Sequence, residues 1–109
     1  MPHIRFRGLN SDQVQQLSQN IPGGLAPILE TTVDNFTVEL VQTQFFIQGK
    51  ADLGYPFCEV LWFERSDHHR QRCAEWLTNE FRKISKASDV AVVFSPIVKS
   101  NYFENGKHF

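Results

Sequence analysis

Two stripes of apolar residues with the same helical spacing constrain this chain more than any other feature of its sequence. The first stripe consists of Val14, Leu17, Ile21, Leu25 and Ile28, and the second of Cys73, Leu77, Phe81 and Ile84. Apolar residues that recur every three or four positions predict amphipathic helices with one buried face. Each stripe lies between two strand patterns along the chain. The order strand, helix, strand therefore occurs twice, which predicts a duplicated βαβ unit.

The strand patterns of the first half alternate between apolar and polar residues. Residues 2–7 show the period of a half-buried strand, and Gly8 ends it. Residues 36–43 predict a second strand, and residues 45–47 predict a short continuation or a turn back. Residues 48–56 contain two glycines and a proline and are expected to form a loop.

The strand patterns of the second half are more strongly apolar. In residues 57–63 only Glu59 interrupts the apolar run. Residues 90–94 are continuously apolar, which predicts a strand buried on both faces, and Pro96 is expected to end it. An Asn-Gly pair at 105–106 predicts a tight turn in the aromatic tail.

The two helix patterns also carry residues that predict their ends and a defect. Ser11 or Asp12 is the expected N-cap of the first helix, and Ser66 or Asp67 that of the second. A Pro-Gly-Gly run at 22–24 lies inside the first stripe without changing its phase. Proline removes a helical hydrogen-bond donor and glycine weakens helices further. We therefore expect a kink or break there, with the flanking apolar residues still facing the sheet.

These elements predict a single α+β domain spanning residues 1–109. The 41% hydrophobic and 21% charged residues are typical of a globular domain with a sizeable core. Right-handed crossovers make the two strands of each βαβ unit parallel. Since each helix has one apolar stripe, both helices cover one face of a mixed four-stranded sheet, which also carries short extra strands. The ferredoxin-like sandwich and the tautomerase fold both have this order of elements.

Charge and hydropathy argue against two classes of partner. Eleven Lys and Arg against twelve Asp and Glu give a net charge of -1, which provides no basic field for nucleic acid. No apolar run approaches the roughly 20 residues that cross a bilayer. We therefore expect neither a nucleic acid nor a membrane as a partner.

The cysteines and histidines point to no metal or cofactor. His68 and His69 lie near Cys73, but no further ligands follow at the spacing of a metal site. The N-terminal residues lack the apolar segment of a signal peptide. A cytoplasmic location is therefore expected, with Cys58 and Cys73 as reduced, small core residues.

The two ends of the chain favour one of the two folds. It begins Met1-Pro2-His3-Ile4, has an aromatic residue, Phe36, at the start of the second strand, and ends in an aromatic segment finishing NGKHF. In these features it resembles the tautomerase superfamily, in the branch of macrophage migration inhibitory factor and carboxymethyl-hydroxymuconate isomerase. The segments PHIRFRG, FTVEL, YPFCEVLWF and NYFENGKHF look like an uncharacterised bacterial family within it.

The resemblance implies an N-terminal proline as the general base. Removal of Met1 would expose the secondary amine of Pro2, which in the superfamily moves a proton on an enol or 2-keto acid. At the positions of the other functional residues of the family, this sequence has different residue types. The lysine before the second strand falls near Thr32, and the tyrosine and asparagine of the last long strand fall at Ala91 and Val93. The resemblance also implies a homotrimer.

The strand topology indicates which residues could take the place of these missing substrate-binding side chains. The first strands of the two halves should run antiparallel, which brings Arg65 close to Pro2, and the parallel second strand brings Phe36 there too. Arg65 could lower the pKa of the amine and bind a carboxylate. Arg5, Glu39 and Glu59 are expected to form an ion-pair cluster on the sheet face that the helices leave uncovered.

Two functions are compatible with these features. One is a tautomerase or isomerase that moves a proton on a small anionic 2-keto or enol acid, with Pro2 as the base and Arg65 and Phe36 binding the substrate. The other is a non-catalytic trimeric module of the same fold that binds a small molecule or has a structural role.

Overall fold

A computed structural model of the chain describes residues 2–108. These residues form two long helices and eight strands. The first half contains β1 (His3–Arg7), α1 (Ser11–Leu29), β2 (Thr37–Leu40), β3 (Phe45–Ile47) and β4 (Lys50–Asp52). The second half contains β5 (Phe57–Phe63), α2 (Asp67–Ile84), β6 (Ala91–Ile97), β7 (Phe103–Glu104) and β8 (Lys107–His108). Short 3₁₀ turns, Val33–Asn35 and Lys99–Asn101, precede β2 and β7.

The four long strands form one mixed sheet in the order β2-β1-β5-β6. β1 pairs with β2 and β5 with β6 in parallel, whereas β1 and β5 are antiparallel. The core combines one face of this sheet with the apolar stripes of both helices, and includes Phe6, Trp62, Leu17 and Phe81. The predicted α+β class, with two helices on one face of a mixed sheet, is confirmed.

The two halves repeat each other in detail. The carbonyl of Pro2, just before β1, accepts a hydrogen bond from the Thr37 amide of β2 (3.2 Å). The carbonyl of Pro56, just before β5, accepts the same bond from the Ala91 amide of β6 (3.0 Å). Each half also ends in a small antiparallel hairpin, β3 with β4 and β7 with β8. The repeated unit is therefore a βαβ unit followed by a hairpin.

The hairpin turns confirm one prediction and correct another. Asn105 and Gly106 both have positive φ, as the Asn-Gly pair predicts for a two-residue turn, and Gln48 and Gly49 form the matching turn. The segment 48–56 was expected to be a loop, but β4 lies inside it. Residues 45–47 take the turn-back alternative. Gln48 is not a typical residue for positive φ, so the sequence did not indicate the position of this turn or the strand β4 that follows it.

The first helix differs from expectation at its start and in its middle. Its N-cap is Asn10, one residue before the expected Ser11, and the side chains of Asn10 and Gln13 cap each other's backbone amides. The helix is uninterrupted from Ser11 to Leu29 although Pro22 lies inside it. The residues on either side of the Pro-Gly-Gly run stay fully buried, as the phase of the stripe requires.

Packing between the helices explains why the glycines do not break α1. A methyl group on Gly24 would lie only 2.0 Å from the Trp76 ring of α2, so the missing side chain makes room for the tryptophan. The Pro-Gly-Gly run has a low helix propensity, but burial of the apolar stripe on either side of it stabilises the helix. Tertiary packing here outweighs the local preference. The Pro-Gly-Gly run is thus a helix-packing feature rather than a breaker.

Two strands, β2 and β6, end at different residues from those predicted. β2 covers only Thr37–Leu40 of the expected segment 36–43. β6 continues past Pro96 to Ile97 and is half-buried rather than buried on both faces, with Val93 42% exposed. It is an edge strand with helices over one face only. An edge also tolerates a proline, since the missing amide can face away from the sheet.

The cysteines lie in the core as predicted. Cys58 on β5 and Cys73 on α2 are both free and fully buried. Burial raises the pKa of the Cys73 thiol to about 12 and that of Cys58 well above its usual value. Neither thiol ionises near neutral pH, so both act as small apolar groups. No helix within the described part of the chain is long and apolar enough to cross a membrane.

Candidate active site at the Pro2 end of the sheet

Pro2 lies at the end of the central strand β1, with its side chain less than 2% exposed. In the registers of the sheet, His3 faces Thr37 of β2 and Leu61 of β5. Continuing both registers by one residue brings Phe36 and Trp62 to either side of Pro2. The proline ring therefore lies on the core face, between two aromatic neighbours.

Phe36 is where the sequence suggested it should be relative to Pro2. It follows the 3₁₀ turn Val33–Asn35, leads directly into β2 and is half-buried against the core. Extended backbone at this position lets the chain leave the turn and join the sheet beside Pro2. Phe36 thus places an aromatic side chain on the β2 side of Pro2.

Arg65 lies on the other side, just before α2. Its guanidinium stands over the ring of Trp62, 5.7 Å from the ring centre. Its Nε donates to the carbonyl of Leu29 at the end of α1 (3.4 Å), and its Nη1 donates to the carbonyl of Phe63 (3.1 Å). The contact with Trp62 brings the guanidinium to the residue beside Pro2 in the sheet, and the two carbonyls hold it there. A guanidinium has five N–H donors, so donors remain for a carboxylate.

A second group of side chains meets on the opposite face of the sheet, and sequence reasoning missed it. His3 Nδ1 shares a hydrogen bond with Thr37 Oγ1, and His3 Nε2 lies 3.1 Å from the hydroxyl of Tyr102. The Tyr102 ring stacks on His3 and packs edge-to-face on Phe63, with ring centres 6.0 and 5.5 Å apart. We call His3, Thr37, Phe63 and Tyr102 the His3 cluster. The alternation of β1 placed His3 on this face, but no local pattern indicated its contact with a tail residue.

The charge state of His3 follows from its surroundings. Burial of the ring lowers the pKa of His3, and the positive charges of the amino terminus and of Arg5 act in the same direction. Glu39 and Glu104 oppose this shift more weakly. The imidazole is therefore neutral at pH 7 and exchanges hydrogen bonds as one donor and one acceptor.

The expected ion-pair cluster is confirmed on the same face. Arg5 Nε lies 2.5 Å from Glu39 Oε1, and Arg5 Nη1 lies 3.7 Å from Glu59 Oε1. Ser95 on β6 donates to Glu59 Oε2 (2.8 Å). This network links all four strands of the sheet. Arg5 bonds to carboxylates on the two strands that flank β1. It is the next residue after His3 on this face of β1, so the ion-pair cluster lies beside the His3 cluster.

His69, the second of the adjacent histidines, has local hydrogen-bond partners. His69 Nδ1 lies 2.6 Å from the hydroxyl of Ser66, the N-cap of α2 as predicted, and His69 Nε2 lies 3.1 Å from Glu30. Cys73 lies in the core instead. Over residues 2–108, no group of three or more His, Cys, Asp or Glu side chains is placed to bind a metal ion.

A groove of about 780 Å³ lies at the opposite end of the sheet, beside Pro56. Its walls come from the segments that follow β1, β2 and α2 and from the end of β4, and include Asn10, Gln42, Asp52 and Ser85. By the internal repeat this groove is the counterpart of the Pro2 end. The nitrogen of Pro56 is part of a peptide bond, so it cannot act as a base, and this groove is not where proline chemistry could occur.

Comparison with known proteins identifies the family and supports the fold. One family model, described as a domain of unknown function, DUF1904, matches residues 1–108. This chain belongs to the DUF1904 family. The crystal structure of a DUF1904 domain from Sebaldella termitidis ATCC 33386 is 40% identical, with 100% of both chains covered and a TM-score of 0.95. No curated protein matches the sequence.

Structures of tautomerase-superfamily members share the fold of this DUF1904 chain. An asymmetric trimer of wild-type fused 4-OT is 11% identical, covering 97% of this chain and 94% of its own, with a TM-score of 0.83. A macrophage migration inhibitory factor-like protein from Entamoeba histolytica is 9% identical, covering 99% and 98%, with a TM-score of 0.77. The fold resemblance inferred from the ends of the chain is confirmed. At these identities the likeness concerns the fold alone.

Proposed function

We propose that this protein, once Met1 is removed, moves a proton on a small anionic 2-keto or enol acid with the Pro2 amine as the base. The observation that carries the proposal is the position of Pro2. Its ring is buried at the end of the central strand between Phe36 and Trp62, and the Arg65 cation stands over Trp62. The tautomerase-like fold supports it as an analogy.

The chemistry requires a free amine at Pro2. While Met1 is attached, the Pro2 nitrogen is an amide and has no basic lone pair. A free α-amino group has a pKa of about 8. Apolar surroundings and a nearby cation disfavour the charged form and lower that pKa. The amine can then be neutral near pH 7 and accept a proton from the carbon next to a carbonyl.

Arg65 is the proposed anchor for the substrate carboxylate, and Phe36 the proposed apolar wall. The guanidinium is fixed by two backbone carbonyls and the Trp62 ring, so little side-chain freedom is lost on binding. A bidentate contact from the remaining N–H groups would hold the acid with its reacting carbon at the strand end.

The homotrimer is part of the proposal. Large apolar side chains are exposed on both hairpins and their flanks, among them Phe46, Ile47, Leu53, Val98 and Phe103. β2 and β6 also leave two sheet edges unpaired by the strands of this chain. Contacts with two further copies would cover these groups, and the fused 4-OT of the same fold is described as a trimer.

We also propose a cytoplasmic location. The two free, buried thiols suit a reducing compartment.

The duplicated proline favours a second candidate function. Pro56 is buried and bonded like Pro2, yet it cannot be a base. A proline at this position therefore has a structural use of its own, which suits a non-catalytic trimeric binding module of the same fold.

Deuterium exchange separates the two candidates. A panel of 2-keto acids in D₂O is followed by proton NMR for loss of the signal at the carbon next to the carbonyl. Protein that begins at Pro2, verified by intact mass, is compared with a form that keeps residues before Pro2. We expect exchange only with the first form. Equal exchange by both forms, or none by either across the panel, rejects the enzyme and leaves the binding module.

A further inference from the structure

We propose that Glu30 and His69 form a clasp that positions Arg65, the carboxylate anchor of the proposed function. The inference rests on that proposed function and names two positioning residues for its substrate-binding site. Neither side chain has to touch the substrate. Their role is to hold the end of α1 against the start of α2, because Arg65 lies just before α2 and takes one of its backbone partners from the end of α1.

The contacts form a closed ring that includes Arg65. Its Nε donates to the carbonyl of Leu29, the last residue of α1 (3.4 Å). The next residue, Glu30, accepts a hydrogen bond from His69 Nε2 (3.1 Å). His69 Nδ1 lies 2.6 Å from the hydroxyl of Ser66, and Ser66 directly follows Arg65 in the chain. The Glu30–His69 clasp therefore restrains the distance between the Leu29 carbonyl and the Arg65 side chain.

The bond between His69 and Glu30 has the same direction in either charge state of the imidazole. The Glu30 side chain is 77% exposed, and an ionised carboxylate can only accept hydrogen bonds. Nε2 of His69 therefore carries the hydrogen, whether the ring is neutral or protonated. The Ser66 hydroxyl can donate to Nδ1 or accept from it. The clasp is thus complete with both forms of the ring.

The backbone of Glu30 is an independent sign that its side chain is used. Glu30 follows α1 in the left-handed conformation, with φ 54° and ψ 47°. This conformation is strained for a residue with a side chain, and glycine is the usual residue where a helix ends in this way. Strained residues often serve a purpose that outweighs their cost. Here glycine would lack the carboxylate that binds His69.

Loss of the clasp should affect substrate affinity rather than proton transfer. The first contact of Arg65 is with α1, whose last turn has no basic residue of its own, so the guanidinium also supplies a cation to the end of that helix. Its other contacts, with Trp62 and the Phe63 carbonyl, are made on β5 and do not involve the clasp. Without the contact to α1 the guanidinium is less fixed, and a bidentate bond to a carboxylate requires a fixed orientation.

The test opens the clasp in protein that begins at Pro2 and uses the exchange assay with an anionic 2-keto acid. We expect Glu30→Gly and His69→Leu each to raise KM about two- to fivefold, the effect of losing a partly exposed ion pair, with kcat unchanged. Glu30→Gln keeps an acceptor oxygen and should keep the KM of the parent protein. His68→Leu, the same substitution at the adjacent exposed histidine, is the control and should change neither quantity.

Two further measurements separate positioning of Arg65 from a general structural role. Glu30→Gly should be at least as stable to urea as the parent protein, because glycine removes the strain of the left-handed backbone. A raised KM in that variant then cannot come from loss of folding. His69→Leu should raise KM no further when it is added to Arg65→Gln, because two residues that act through one contact are not additive.

The outcomes distinguish this inference from the proposed function. If the parent protein exchanges and both Glu30→Gly and His69→Leu keep its KM, the clasp does not position Arg65, while the Pro2 proposal stands. The inference is also overturned if His69→Leu raises KM by the same factor with and without Arg65. If the parent protein is inactive across the panel of keto acids, the inference and the proposed function fall together.

Discussion

Pro2 and Pro56 occupy equivalent positions in the two halves of the chain. Each is buried just before the first strand of its βαβ unit, and each carbonyl accepts the amide of the first residue of the parallel strand. Only Pro2 can become an N-terminal amine. The internal repeat therefore supplies a control that separates the structural role of a buried proline from a catalytic one.

Substitution of the two prolines by alanine should affect stability alike and activity differently. Each substitution restores backbone freedom to the unfolded chain and removes a packed ring, so we expect the free energy of unfolding to fall by about 1 kcal/mol in both. Only Pro2→Ala should lower kcat, because it leaves a primary amine in place of the ring nitrogen. Urea titrations and the exchange assay measure the two effects. A comparable loss of kcat in Pro56→Ala would contradict the catalytic assignment.

Gly23 and Gly24 should respond in opposite ways to alanine. Nothing lies within 4 Å of a methyl group on Gly23, whereas one on Gly24 meets Trp76 at 2.0 Å. Gly23→Ala should stabilise by about 0.5–1 kcal/mol through helix propensity. Gly24→Ala should destabilise by about 1–3 kcal/mol through overpacking. Chemical denaturation measures both, and a Gly24→Ala protein as stable as the parent would show that α1 and α2 are not packed through this glycine.

The buried thiols should be inert in the folded protein. Burial raises the pKa of Cys73 to about 12, so its reactive thiolate is scarce at pH 8. We expect a thiol reagent to label neither Cys58 nor Cys73 at pH 8 without denaturant, and to label both once urea unfolds the chain. Rapid labelling of the native protein would contradict the burial of these residues.

The fold was predictable because its elements have strong periodic patterns. The helical stripes and the alternation of β1 identified the duplicated βαβ unit, and the ends of the chain selected the fold. The errors arose where tertiary contacts outweigh local preference. The Pro-Gly-Gly run continues a helix because Gly24 receives Trp76, and β6 is half-exposed because it lies at an edge.

The candidate site was predictable only in part. Strand order alone brings Phe36 towards Pro2, since β1 and β2 are parallel neighbours. The contact between His3 and Tyr102 could not be predicted in this way. Tyr102 follows a 3₁₀ turn after β6, and the path of that turn depends on packing against Phe63 rather than on any periodic pattern.

The assembly should be a trimer that depends on the exposed hairpin residues. Light scattering at micromolar concentration should give three times the mass of the single chain. Phe103→Glu and Phe46→Glu place charges on apolar surfaces that are 62% and 67% exposed in the single chain, and should shift the protein towards monomers while circular dichroism stays unchanged. Asn79→Glu on the outer face of α2 is the control. A stable monomer of the parent protein would remove the trimer.

Arg65 should control both substrate affinity and the pKa of the base. Arg65→Gln removes the proposed carboxylate anchor, so KM for an anionic keto acid should rise about tenfold, consistent with losing one charged hydrogen bond. It also removes a cation that disfavours the protonated amine, so the apparent pKa of the base should rise. Since the neutral amine is the active form, the acid limb of the kcat/KM profile should move to higher pH. Arg72→Gln, an exposed position on α2, should change neither quantity. An unchanged KM together with an unmoved acid limb in Arg65→Gln would exclude Arg65 from the site.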